Sequence, residues 1–225
     1  MNITVAARFE FLDLLQGFEA TGDDIIVRTD KGEISLHAAC ESGQAAILQY
    51  LCEHGAPLDL EDNSRNNALH MAVSNGYLDV TGEEVNYSAN VNKEDNKCAT
   101  PLNTAALKGH VDILWELLHQ GVDIDSASRD GRKPLNTAVL GHVTIVQEYL
   151  NHGTKVNTAD IEGNTTLHEA AYKGHADVVP DLLNNGAGVE FADENGSTLL
   201  HEEVYKGHVE VVRELLNHDV SVDFG

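Results

Sequence analysis

Residues 160–189 read DIEGNTTLHEAAYKGHADVVPDLLNNGAGV, and versions of this stretch recur from Asp30 almost to the end of the chain. A glycine closes the first half of each version, at Gly43, Gly76, Gly109, Gly141, Gly174 and Gly207, with spacings of 33, 33, 32, 33 and 33. Four of the six are followed by histidine, at His110, His142, His175 and His208. Between an Asp/Gly/Asn-rich turn and each glycine stands a pair such as Leu36-His37, Leu102-Asn103 or Leu167-His168. A fixed period of this length is the signature of a repeat architecture.

Each unit carries the local chemistry of turn, helix, break, helix. The turn residues, Asp193-Glu194-Asn195-Gly196 for example, include types that tolerate positive φ. Alanines such as Ala105-Ala106 and Ala170-Ala171 are strong helix formers and leave room for close approach. After the glycine, apolar residues return at helical spacing. A unit of this kind presents an apolar stripe that only a neighbouring unit can bury.

The chain resembles the ankyrin-repeat family, whose turn-plus-two-helices unit carries T-P-L-H-x-A. Thr100-Pro101-Leu102 and Thr165-Thr166-Leu167-His168-Glu169-Ala170 stand at the right phase. The resemblance implies an all-α solenoid, with helix-turn-helix units joined by β-turn or hairpin loops. We expect one domain over residues 1–225: a degenerate capping repeat at 1–29, then repeats at about 30–61, 62–94, 95–127, 128–159, 160–192 and 193–225. In the cap, Ala6-Ala7 belong to a shortened first helix, while Leu14-Leu15, Phe18 and Gly22 fall one period before Ile47-Leu48, Leu51 and Gly55.

The formal charge of −23, from 14 basic and 37 acidic residues, disfavours non-specific binding to nucleic acid or an anionic membrane. Cys40, Cys52 and Cys98 form no CxxC, which fits a reduced intracellular protein. The N-terminal MNITVAARFEF has neither a signal peptide pattern nor an apolar span. A cytoplasmic or nuclear location is expected.

The irregular units are informative. Arg65 and Cys98 occupy turn-glycine positions, and Thr81, Gly82 and Glu84 stand where the next unit has Leu114, Trp115 and Leu117. Glycine costs a helix interior about 1 kcal/mol relative to alanine, and a buried unpaired carboxylate costs several times that unless protonated. This second helix is expected to be the weak point, frayed, shifted or deformed. The unit at 128–159 is one residue short, so its first helix should end early. Pro180 falls inside the fifth unit's second helix, where it should bend the helix or delay its start. Glu203 takes an alanine position and is a poor fit for a tight slot.

The resemblance implies that turn tips and the exposed side of the first helices line a concave surface that binds a partner protein. On that surface the sequence offers Lys97, Leu107, Lys108, Arg129, Arg132, Leu140, Tyr172, Lys173, Tyr205 and Lys206. Aromatic rings flanked by cations make a hot-spot strip; the other reading is amphipathic cover for the helix stems. Trp115, on a second helix, serves either as an interface anchor or as a ring laid over its neighbours. The last helix keeps Val211, Val212, Leu215 and Leu216 at its outward end. That points to a homo-oligomer through the C-terminal face, or to a structural spacer or self-associating fragment of a longer array.

Twelve histidines are accounted for by phase. Those of the Leu-His pairs are implied by the resemblance to bond neighbouring turn backbone, and His54, His119, His152 and His218 lie near second-helix ends, where a cation suits the dipole. No HExxH, zinc spacing, phosphate loop, dinucleotide fingerprint or EF-hand pattern occurs. No cofactor or metal is expected, and the reading is a non-catalytic interaction module.

Overall fold

The period closes into pairs of short antiparallel helices. The computed structural model describes residues 3–8, 26–139, 142–189 and 198–218. Among them are thirteen helices and no strand, with a single antiparallel bridge between Ala159 and Thr165. The Cα positions divide into two compact units, residues 1–128 and 129–225.

In the N-terminal unit the first helices are α1 (Ile3–Arg8), α2 (Ser35–Glu41), α4 (Ala68–Asn75) and α6 (Pro101–Lys108). The second helices are α3 (Ala45–Glu53), α5 (Leu78–Asn86) and α7 (Val111–Leu118). Like packs on like, α1 on α2 on α4 on α6 and α3 on α5 on α7, giving two layers. Ala6 and Ala7 are buried in α1. Leu14, Leu15, Phe18 and Gly22 lie outside the described residues.

The motif histidine ties one repeat to the next. His37 takes the Ile34 N–H on Nδ1 at 3.3 Å, so Nε2 carries the proton and donates to Asn66 O at 3.1 Å. His70 repeats this with the Asn67 N–H and, at 3.4 Å, with Ala99 O. Burial of the rings lowers both pKa values, against the pull of those carbonyls. Asn103 performs the same office without a ring, its Oδ1 accepting from Thr100 N at 2.9 Å and its Nδ2 donating to Ser126 O at 3.3 Å. The four histidines at second-helix ends instead cap their own helices, Nδ1 lying 2.6–3.1 Å from the carbonyl four residues back.

Arg65 and Cys98 adopt φ of 64° and 59°, as Gly32 does at 79°. The turn therefore imposes the left-handed region on side chains that lose about 1 kcal/mol there. Break glycine Gly76 is required twice over: its φ is 79°, and a Cβ would stand 2.8 Å from the His110 ring.

α5 corrects an expectation. It runs unbroken over nine residues, Gly82 included. Glu84 is fully buried at a position filled by Leu51 and Leu117 in the flanking repeats. The Cys40 thiol donates to its Oε1 at 3.1 Å, while Oε2 has no partner among the described residues. The irregularity is thus chemical and not geometric. Burial raises the Glu84 pKa from 4.5 to about 7; the thiol bond opposes the shift and the Asp59 charge adds to it.

In the C-terminal unit the first helices are α8 (Pro134–Ala138), α10 (Thr166–Tyr172) and α12 (Leu199–Lys206). The second are α9 (Val143–Asn151), α11 (Val179–Asn184) and α13 (Val209–Asn217). α8, α10 and α12 form one layer and α9, α11 and α13 the other. The short repeat does end early, α8 having five residues where α6 has eight. Pro180 delays rather than bends: α11 begins five positions after Gly174, whereas α13 begins two after Gly207, and Pro180 sits at its second residue.

Because the unfolded Glu84 carboxyl ionises before the folded one, its contribution is intact below pH 4.5 and is lost as pH rises to about 7. His37 and His70 act oppositely, their contribution falling away as pH drops below 6.5. Comparing Glu84→Leu with the parent cancels the histidines. The variant's advantage in urea unfolding should grow by about 2 kcal/mol between pH 5.5 and pH 8. A difference that does not change with pH would mean that Glu84 is not titrating.

Candidate functional site

In the C-terminal unit two of the expected rings stand exposed at equivalent first-helix ends. Tyr172, last residue of α10, is 59% exposed, and Tyr205, one period later on α12, is 94% exposed. Lys206 sets its ammonium 4.1 Å from the Tyr172 ring centre, and Lys173 stands 5.4 Å from the same ring. A cation over a ring face is attracted by the ring quadrupole.

What holds Lys206 there is the residue expected to fit worst. Glu203 is fully buried where Ala39, Ala72, Ala105 and Ala170 sit in other repeats. Its Oε1 accepts from Lys206 Nζ at 3.0 Å and its Oε2 from His208 Nδ1 at 2.5 Å. Glu202 adds a longer contact to the same lysine at 3.5 Å. A buried carboxylate is tolerated when paired and hydrogen-bonded, and here both oxygens are satisfied. The spacings Glu203 to Lys206 and Glu203 to His208 were present in the sequence and are the signal that could have found the pair. His201, Glu202, Tyr205 and Lys206 line an open depression of about 390 Å³ on this edge.

The remaining expected contacts are dispersed. Arg129 is exposed, whereas Arg132 is engaged by Asp130 at 3.7 Å and Asp160 at 3.8 Å. Leu140 lies outside the described residues. In the N-terminal unit Leu107 is 52% exposed, with Lys97 and Lys108 also exposed. Trp115 is 36% exposed and stacks on His119 with ring centres 5.8 Å apart, a geometry open to either of its two expected roles. Of the four residues assigned to the C-terminal face, Val211 and Leu215 are buried within their own unit and cannot contact another molecule. Leu216 is 48% exposed and Val212 half-buried, because they lie one step round the helix.

Among the described residues no three His, Cys, Asp or Glu side chains are placed to hold a metal ion, and no helix is long and apolar enough to cross a membrane.

The family model for ankyrin repeats, built of three copies, matches residues 3–95, 83–160 and 138–224. The chain belongs to the ankyrin-repeat family. Its fold is similar to that in the crystal structure of the ankyrin repeat domain of Bcl-3, described as a unique member of the IkappaB protein family: TM-score 0.83, 22% identity, covering 95% of this chain and 98% of that one. No curated protein sequence matches the chain. Ankyrin-repeat domains are in general non-catalytic interaction modules.

Glu203→Ala restores the residue the other repeats use. The variant should keep its fold and lie within about 1 kcal/mol of the parent or be more stable, since Lys206 and His208 can return to water. Thermal unfolding reads the stability, and the Tyr172 ring resonances should shift as its cation leaves. A large drop in midpoint would mean that the paired carboxylate outweighs its desolvation.

Proposed function

We propose that the chain is a non-catalytic module that binds a partner protein, and that the partner lies on the turn and first-helix side, the concave surface of an ankyrin array. The observation that carries this is the pair Tyr172 and Tyr205, exposed at successive equivalent positions with the Lys206 ammonium over the first ring. Rings of this kind bury much area while losing little side-chain freedom, and a few of them supply most of an interface's energy. Leu107 repeats the exposed apolar position in the N-terminal unit. Lys173 offers an ammonium to an acidic partner group, whereas Lys206 is already shared with Glu202 and Glu203. Lys97, Lys108 and Arg129 would add cations at turn and helix ends.

Cross-linking in a cell extract, read by mass spectrometry, tests the proposal. The Tyr172→Ala, Tyr205→Ala chain should lose a defined set of proteins that the parent and a Trp115→Ala control both retain. Once one of them is purified, each tyrosine should be worth about 2 kcal/mol or more of affinity. Identical capture by all three chains would count against this surface.

A further inference from the structure

Helix α5 is the least firmly anchored second helix of the N-terminal unit. Four, five and eight residues after the break glycine, α3 buries Ile47, Leu48 and Leu51 and α7 buries Ile113, Leu114 and Leu117, whereas α5 offers Val80, Thr81 and Glu84. The Thr81 hydroxyl donates locally, to Tyr77 O at 2.9 Å. Among the described residues, the one side-chain hydrogen bond that joins α5 to another helix is that of the Cys40 thiol to Glu84 Oε1, at 3.1 Å. The first-helix layer is fastened separately, from repeat to repeat, through His37, His70 and Asn103.

The Glu84 carboxyl is placed to be neutral and has nothing to support a charge. It is fully buried, and its Oε2 has no partner among the described residues. The titratable groups that face it are Cys40 of α2, Cys52 of α3 and Asp59 of the segment after α3, with Glu83 its neighbour on α5. Among the described residues α4 and α7 bring no ionisable group to bear on it. None of these groups is a cation, so the ionised carboxyl would meet a like charge at Asp59 and no counter-charge. A buried unpaired charge is among the costliest states a core can hold. Water is reached most cheaply by moving α5, which uncovers only Val80 and Val85 as buried apolar residues; moving α2 would break the histidine tie.

Cys40 lies under this helix. It is fully buried and shares one apolar cluster with Leu48, Leu51 and Val80, against which Cys52 is partly buried. With α5 in place both thiols are held un-ionised. Burial pushes Cys40 up and the Glu84 charge adds to it, while Cys52 is pushed up to about 12, by burial first and then by Glu84, Glu83 and Glu53. A thiol in that state is inert, because the thiolate is the nucleophile.

We propose that α5 is a pH-operated cover over the Cys40 thiol: loss of the Glu84 proton releases the helix from α3 and α7, the tied first-helix layer stays closed, and the thiol becomes reactive. The closed state binds that proton more tightly than the open one, at about 7 against 4.5, so opening is suppressed at low pH and grows as pH rises to about 7. None of these residues belongs to the tyrosine surface of the C-terminal unit, and the two readings stand or fall separately.

Two probes read the opening in the full chain. In a Cys52→Ser, Cys98→Ser background, the rate of Cys40 labelling by N-ethylmaleimide, divided by the rate on the urea-unfolded chain at the same pH, measures the open fraction free of the thiol's own ionisation. That fraction should rise by about thirtyfold between pH 5.5 and pH 8. Amide exchange in α5, corrected for intrinsic rates and read by mass spectrometry, should rise in step, while exchange in α4 should not. Glu84→Gln, neutral and of nearly the same shape, should abolish the pH dependence of both probes. Glu84→Leu, which copies the flanking repeats, should do the same and serves if the amide variant misfolds. An open fraction that does not change with pH, a pH dependence that persists in both variants, or an equal rise in α4, marking unfolding of the whole unit, would each overturn the proposal.

Discussion

The structure depends on a ring that hydrogen-bonds at both ends. In each of two repeats a histidine ring accepts the N–H of its own helix cap on one nitrogen and gives the proton on the other to a carbonyl of the next turn. The first bond fixes the tautomer and the second fixes the neighbour. A helix of seven or eight residues is marginal in isolation, so its persistence comes from this tie and from burial against the next pair. Asn103 shows what matters chemically: an acceptor and a donor at the two ends of a short planar group, whether or not that group is an imidazole.

Much of this was legible in the sequence because the period is strict. Glycine phase located the break in each unit, Leu-His pairs located the caps, and a missing residue before Gly141 announced a short α8. Tyr172 and Tyr205 could be placed on an exposed side because the family resemblance puts their phase on the open side of the first helices. What went unread was compensation. Glu84 and Glu203 are both carboxylates in slots that favour small or apolar side chains. One meets a thiol and keeps an orphan oxygen, whereas the other meets Lys206 and His208. The Glu84 outcome depends on which side chain the preceding repeat brings to it, a property of tertiary packing, whereas the partners of Glu203 stand three and five residues further along the chain.

The C-terminal helix shows the second limit. Val211, Val212, Leu215 and Leu216 form one stripe by spacing, yet the first and third close the unit's own core while the others turn towards its free edge. Periodicity identifies the apolar side of a helix but cannot divide it between its two neighbours. Val204, on the partner helix, belongs to that edge and was concealed by its phase, since its counterparts are buried in every preceding repeat where burial is described. Proline behaved more simply. Its missing N–H costs nothing in the first turn of a helix, so α11 starts late enough to put Pro180 there.

The orphan oxygen of Glu84 also bears on heat measurements. A carboxyl that binds its proton more tightly when folded, at about 7 against 4.5 when free, draws a proton from the medium as the N-terminal unit assembles near neutrality. The buffer supplies that proton and contributes its own enthalpy of ionisation to the observed signal. The difference between folding enthalpies measured at one pH in phosphate and in Tris will therefore not be the same for the parent and for Glu84→Leu, in which His37 and His70 release their protons alike.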